Sequence, residues 1–342
     1  MNDESAMELA LEQGASIRAR TSPNPWVGAV VVADDAVVGV GATQSPGGDH
    51  AEVMALAAAG DAAKGATLVV TLEPCAHHGR TGPCVDAVVR AGVDRVVVGI
   101  LDPDRRVGGR GVAALRKAGV QVDVGVLSGL VEAHLLPYLT HRRTGRPYVV
   151  CKMAASIDGG TAAPDGTSKW ITGPEARRDV HRLRAESDAI VVGAGTVRTD
   201  DPALTVRHVG GRDPLRVVLG SAPAEARVQP CLQWTGDLAD LLDELGGRGV
   251  LQVLVEGGQS VVRAFHDRDL IDRYVLYLAP AMFGGTDKLP LLAGPTAPTI
   301  AAVWRGEFVD VRPIGADIRV DIIPLTRISS MGGTPLPDRF SA

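Results

Sequence analysis

Apolar positions along the chain come in short runs set between helical patterns and turn residues, the alternation expected of an α/β protein. Residues 5–19 carry Met7, Leu9, Ala10, Leu11 and Ile17 among polar positions and predict an amphipathic helix, which Thr21-Ser22-Pro23-Asn24-Pro25 breaks. The runs 27–32 and 36–41 read as two strands of a hairpin around Ala33-Asp34-Asp35. An Ala-rich helix over 50–59, strands over 67–72, 95–100 and 120–126, and helices after Cys84 and near 111–118 continue a strand-helix-strand rhythm. The polar, basic stretch 141–147, ending in Gly145-Arg146-Pro147, predicts the domain boundary. Beyond it, apolar runs at 148–154, 189–192, 215–219, 250–255 and 274–278 have the length of strands buried in a mostly parallel sheet. An exposed loop to Trp170, a helix from Pro174 to about Glu186 and a helix over 261–265 lie between them. The predicted division is a first domain over 1–144, a second over 145–328 and a mobile Gly-, Pro- and Ser-rich tail over 329–342.

Composition narrows the function classes. A chain of 342 residues is long enough for about two domains. With 45% hydrophobic and 22% charged residues it reads as globular, and no apolar run approaches a membrane span. The acidic start Met1-Asn2-Asp3-Glu4-Ser5 lacks the features of a secretory signal, so a cytoplasmic location is expected. With 35 Lys+Arg against 40 Asp+Glu and no basic stripe, a nucleic-acid partner is disfavoured and a small-molecule substrate expected. Four cysteines argue against a disulfide framework, leaving Cys151 and Cys231 as expected buried thiols.

The chemistry concentrates in His50-Ala51-Glu52 and in Pro74-Cys75, followed after eight intervening residues by Cys84. One imidazole and two thiolates can hold Zn²⁺ with a fourth position left for water, and a nearby carboxylate that is not a ligand can shuttle a proton to a leaving amine. Zinc deaminases carry H-x-E and then P-C-x-x-C, so only the wider cysteine gap departs. The alternative is a closed structural site completed by His77 or His78, in which Glu52 would have no task. Asn24 either caps its turn or holds a substrate amide. In the second half, Lys152 stands in an apolar strand, where lysine is seldom found without a partner or a task. Glu256-Gly257-Gly258 follows a strand and opens a helix, which is either plain turn chemistry or a phosphate site.

With these residues in view, the chain from about 5 to 325 resembles the bifunctional riboflavin-biosynthesis deaminase/reductase family. The first half matches through Thr21-Ser22-Pro23-Asn24-Pro25-Trp26-Val27-Gly28, His50-Ala51-Glu52, Glu73-Pro74-Cys75-Ala76-His77, Gly79-Arg80-Thr81 and Cys84, with the family's own cysteine spacing. The second matches through Lys152-Met153-Ala154-Ala155-Ser156-Ile157-Asp158-Gly159, Ser168-Lys169-Trp170-Ile171, Val192-Gly193-Ala194-Gly195-Thr196, the run from Asp200 to Arg207, and Glu256-Gly257-Gly258. The resemblance implies a cytidine-deaminase-like zinc domain followed by a dihydrofolate-reductase-like nucleotide-binding domain, in a homo-oligomer. It implies hydrolytic loss of the 2-amino group from 2,5-diamino-6-(5-phosphoribosylamino)pyrimidin-4(3H)-one, then reduction of the ribosyl chain to ribityl with NADPH.

By the same resemblance, His50, Cys75 and Cys84 bind zinc and Glu52 moves the proton, with Asn24, His77 and Arg80 meeting the first substrate. Ala154, Trp170, Thr196, Asp200 and the run from Gly258 would line the NADP pocket. Ser168, Arg184, Leu204, Arg207 and Glu256 would meet the second substrate, Arg184 and Arg207 as phosphate partners. Lys152 and Glu256 are the catalytic candidates near the sugar. Against the family pattern, Thr43 replaces a frequent His, Arg80 replaces Lys, and the segment 221–249 is shorter, as if one strand-helix excursion were missing. A nucleoside or transfer-RNA deaminase with an unrelated second domain would need a basic stripe, and a scaffold without turnover would not need His50, Glu52, Cys75 and Cys84 intact.

Overall fold

A computed structural model describes residues 1–77, 82–104 and 107–328. The chain forms two compact units, Met1–Gly145 and Arg146–Ala342, each with its own sheet.

In the first unit, α1 (Asp3–Thr21) starts on Asn2, whose side chain accepts the Ser5 N–H, and acids at its start and arginines at its end oppose the helix dipole. The hairpin β1 (Gly28–Ala33) and β2 (Ala36–Ala42) turns on Asp34 and Asp35 at φ +48° and +60°, the left-handed pair that suits the twist of a two-residue turn. Next come α2 (Ala51–Ala59), β3 (Thr67–Leu72), α3 (Cys84–Ala91), β4 (Arg95–Ile100), α4 (Arg110–Lys117), β5 (Gln121–Val124) and α5 (Ser128–Thr144). The sheet order is β2-β1-β3-β4-β5, antiparallel around β1 and parallel from β3 to β5.

The division between the units falls within the expected boundary at 141–147, whose first residues are the last turn of α5, which runs to Thr144 and is closed by Gly145 at φ +77°. Its face of Val131, Leu135, Tyr138 and Leu139 is buried, while Pro137 inside the helix disguises the pattern.

The second unit contains β6 (Tyr148–Ser156), β7 (Gly160–Ala162), α6 (Pro174–Ala185), β8 (Ala189–Gly193), α7 (Ala194–Asp200), β9 (Leu215–Leu219), β10 (Leu232–Trp234), α8 (Leu238–Gly247), β11 (Gln252–Val255) and α9 (Gln259–His266). After these come β12 (Arg273–Ala279), β13 (Leu289–Pro290), β14 (Gly306–Ile314) and β15 (Asp317–Pro324). An eight-stranded sheet has the order β10-β9-β8-β11-β6-β12-β15-β14, parallel up to β12 and antiparallel beyond it. The segment 221–249 forms a strand and a helix, β10 and α8. Val191, Val253, Leu241, Leu245 and Phe265 form part of the core between sheet and helices. Each large apolar side chain buried this fully stabilises the fold by about 1.5–3 kcal/mol. Among the described residues, no helix is long and apolar enough to cross a membrane.

Candidate active sites

In the first unit, strand and helix ends converge on His50, Cys75 and Cys84. His50 is the N-cap of α2, Cys75 follows the end of β3, and Cys84 is the first residue of α3. The Cys84 N–H donates to the Cys75 sulfur at 3.4 Å, so the start of α3 faces a developing thiolate. His50 Nδ1 lies 3.2 Å from Cys84 Sγ and 3.7 Å from Cys75 Sγ, and all three ligand atoms lie within 4.8 Å of one another. Ligands about 2.0–2.3 Å from a tetrahedral zinc stand roughly 3.5–3.8 Å apart, so this donor set fits the ion. His77 lines the same cavity but is not part of the three-atom cluster, and His78 lies outside the described residues.

Hydrogen bonds from the Cys84 side chain, His50 and the Cys84 N–H hold the Cys75 thiol well below the ordinary thiol range. Glu52, in the first turn of α2, is 3% exposed, and burial pushes its carboxyl up to about 7 against the opposing charge of His50. A carboxyl so placed can both take and give a proton near neutral pH. The cavity, of about 340 Å³, is also lined by Asn24, Thr43, Glu73, Asp102, Asp104, Tyr138 and Arg142.

Glu73 shapes this wall. Its buried carboxylate accepts the N–H groups of Asp102 at 3.2 Å, Gly109 at 2.9 Å and Val112 at 3.1 Å, tying the end of β3 to the segment before α4 and to its first turn. Within α4, a Cβ on Gly111 would stand 1.9 Å from the Pro74 carbonyl oxygen, so the helix passes Cys75's neighbour only because residue 111 is glycine.

The second unit has its own cavity, of about 650 Å³. Lys152, Ala154, Ser168, Trp170, Arg184, Thr196, Asp200, Leu204, Arg207 and Glu256 all line it. Gly258 does not, although a Cβ there would lie 3.7 Å from the Thr196 hydroxyl. In the parallel pairing of β11 with β6, Val255 stands opposite Cys151, which makes the next residues, Glu256 and Lys152, neighbours. Arg184 donates to both Glu256 oxygens, from Nε at 2.6 Å and from Nη2 at 2.8 Å. Burial works against the Glu256 carboxylate, but Arg184 and then Lys152 outweigh it and hold its pKa below the ordinary value. Burial lowers the Lys152 pKa, with the Glu256 charge offsetting part of the effect. At the rim, Lys169 pairs with Asp200 at 2.7 Å and the Arg177 guanidinium lies 4.7 Å from the centre of the Trp170 ring. Leu204 is buried at φ +53°, a left-handed conformation that is strained for leucine.

A family model described as the cytidine and deoxycytidylate deaminase zinc-binding region matches residues 1–100. Another, described as the RibD C-terminal domain, matches residues 147–320. The riboflavin biosynthesis protein RibD of Escherichia coli (strain K12) is 38% identical over 94% of this chain and 100% of its own length. The chain belongs to the RibD family.

The RibD of Mycobacterium tuberculosis (strain ATCC 25618 / H37Rv) is 43% identical over 93% of this chain and 96% of its own. Among solved structures, form 1 of Acinetobacter baumannii RibD has a TM-score of 0.88 at 38% identity, covering 94% of this chain and 98% of its own. A diaminohydroxyphosphoribosylaminopyrimidine deaminase/5-amino-6-(5-phosphoribosylamino)uracil reductase from Thermotoga maritima has a TM-score of 0.85 at 34% identity, with the same coverage.

Set against the residues expected from sequence, this RibD-family chain places Asn24, His77 and Glu52 around one cavity and the second set, Gly258 apart, around another, while Arg80 lies outside the described residues. Arg184, expected as a phosphate partner, lines the second cavity, where its fork meets Glu256 and its Nη1 donates to the Thr205 carbonyl at 3.3 Å. Cys231 is half-buried rather than buried.

Sequence reading missed Glu73, Asp102, Tyr138 and His181. His181 accepts the Arg207 N–H on Nδ1 at 3.2 Å, and burial pushes its pKa down to about 4, so it is neutral with its proton on Nε2. Its spacing of three from Arg184 on one helix is the signal that could have found it.

Proposed function

We propose that this chain is a bifunctional enzyme of riboflavin biosynthesis. Its first unit would hydrolyse the 2-amino group from 2,5-diamino-6-(5-phosphoribosylamino)pyrimidin-4(3H)-one. Its second would reduce the ribosyl chain, giving 5-amino-6-(5-phosphoribitylamino)uracil. The observation that carries this reading is one RibD-family chain with two cavities, one bearing a zinc-type triad beside Glu52 and the other a Lys152–Glu256–Arg184 group.

In the first cavity His50 Nδ1 and the sulfurs of Cys75 and Cys84 would hold Zn²⁺, which supplies Lewis-acid activation of water when bound. Glu52 takes a proton from the attacking water and delivers it to the departing amine, so that water and the aminopyrimidine leave as the oxo product and ammonia. Asn24 and His77 orient the ring, and Arg80 is a candidate for the phosphate.

In the second cavity NADPH would supply the hydride, held by Ala154, Trp170, Thr196, Asp200 and the turn at Gly258. Lys152, with a depressed pKa, gives a proton to the sugar as the hydride arrives. Glu256 stays ionised against Arg184 and orients the Lys152 ammonium. Arg207, exposed at the rim, meets the phosphate, and Ser168 and Leu204 meet the rest of the substrate.

The test is incubation of the purified chain with the diaminopyrimidinone phosphate, with and without NADPH, followed by mass analysis. Ammonia and the deaminated phosphate are expected without NADPH, and the ribityl product only with it. A ribityl product that keeps its 2-amino group would reverse the assigned order.

A further inference from the structure

The first cavity holds a cation that the proposed chemistry leaves unused. Among the described residues lining it, Arg142 alone carries a guanidinium or ammonium group. Arg142 sits in the last turn of α5, and its side chain is 25% exposed. Its Cζ lies over the Tyr138 ring, 5.0 Å from its centre and one helical turn earlier on the same face, within cation–π reach.

The platform beneath it is itself fixed. The Tyr138 hydroxyl donates to Asp102, at 3.2 Å from Oδ1 and 3.0 Å from Oδ2, and the buried Asp102 accepts the Asp104 N–H at 2.8 Å. The guanidinium is poorly satisfied by comparison. Among the described residues the buried Nε has no hydrogen-bond acceptor, and the Asp104 carboxylate stands 4.0 Å away, beyond hydrogen-bond reach. Nη1 makes a long contact to His141 Nδ1, at 3.4 Å.

A rigid, planar, half-buried guanidinium with donors to spare at the wall of a substrate cavity suits a phosphate monoester, whose oxygens match the guanidinium fork. We infer that Arg142 binds the phosphate end of the ribosyl phosphate substrate in the first unit, with Tyr138 as its platform and Asp104 as a loose counter-charge. The inference rests on the deaminase reading and adds to it the residue that selects a phosphorylated substrate over the free riboside.

The experiment uses the full zinc-loaded chain without NADPH and follows ammonia release from the diaminopyrimidinone ribosyl phosphate and from its dephosphorylated riboside. Arg142→Gln should lower kcat/KM for the phosphate by about 10- to 100-fold, mainly through KM, as the loss of a charge-assisted contact predicts. The riboside should be processed as before, and Arg142→Lys should restore part of the preference. Equal loss on both compounds would mean that Arg142 acts only by supporting Tyr138, and no loss on either would place the phosphate elsewhere; each overturns the proposal. Failure of the unaltered chain to release ammonia from either compound would sink the deaminase reading, and the proposal with it. A second measurement avoids variants altogether. Phenylglyoxal labelling of Arg142 in the unaltered chain, read by peptide mass, should be suppressed by the deaminated phosphate but not by its riboside, and equal protection by both overturns the proposal.

Discussion

Arg184 and Glu256 face each other fork to fork across the cavity of the second unit, with side chains only 13% and 7% exposed. Removing one partner strands a buried charge, so Arg184→Ala should destabilise the second unit by about 3–5 kcal/mol, whereas Arg184→Met combined with Glu256→Gln should recover much of that loss. Calorimetry of the three proteins checks this, and a change below about 1 kcal/mol would show that water reaches the pair. The Glu256 pKa is lowered in the fold, so its contribution is complete above the ordinary value of 4.5 and is lost as pH falls through the lower folded value. Arg184→Ala should therefore lose most of its disadvantage in acid.

Lys152 neighbours that pair and lines the same cavity. Lys152→Ala should lower reductase turnover far more than NADPH affinity, and Arg207→Ala should chiefly raise the KM for the phosphate substrate, by about 1.5–3 kcal/mol in kcat/KM terms. Steady-state kinetics with cofactor titration separate the two. Normal turnover of Lys152→Ala at saturating NADPH, with weakened cofactor binding, would make Lys152 a cofactor ligand.

The three-atom cluster of His50, Cys75 and Cys84 predicts about one Zn²⁺ per chain. Cys75→Ser and Cys84→Ser should lose metal and deamination together. Glu52→Gln should keep the metal but lose about 10²–10⁴-fold in deamination rate. Metal analysis beside ammonia assays decides, since metal loss in Glu52→Gln would make Glu52 a ligand.

Glu73 accepts three backbone N–H groups around the first cavity. Glu73→Ala leaves buried donors without an acceptor, at a penalty of about 1–3 kcal/mol for each group that water cannot reach. Thermal unfolding should shift down and deamination fall with it, while reduction of the already deaminated phosphate continues. Undiminished deamination would mean that the loop over 102–112 is held by other contacts.

Because the two units have separate sheets, residues 1–145 alone should bind zinc and release ammonia without NADPH. Residues 146–342 alone should oxidise NADPH only when given the deaminated phosphate. A folded, zinc-loaded first unit that is inert would show that the sites depend on the whole chain.

What the sequence determined by itself was local. His50 and Glu52 are two residues apart at a helix start, and the apolar runs at β3, β4, β8, β9 and β12 show within a few positions, because the two periodicities of backbone structure are short. The proline at 174 likewise marks a helix start by its own backbone preference. Other features lay beyond that reach. Pro137 hid α5, and the sparse, exposed apolar residues of β14 hid the antiparallel edge, since these segments take their form from the surfaces they meet. Only tertiary structure pairs Arg184 with Glu256, 72 residues away. The same holds for the stack of Arg142 on Tyr138 over Asp102, in which α5 is brought against the end of β4. Charge and hydrogen-bond partners across such distances are chosen by packing, and neither residue type nor spacing encodes which arginine is left free to meet a ligand.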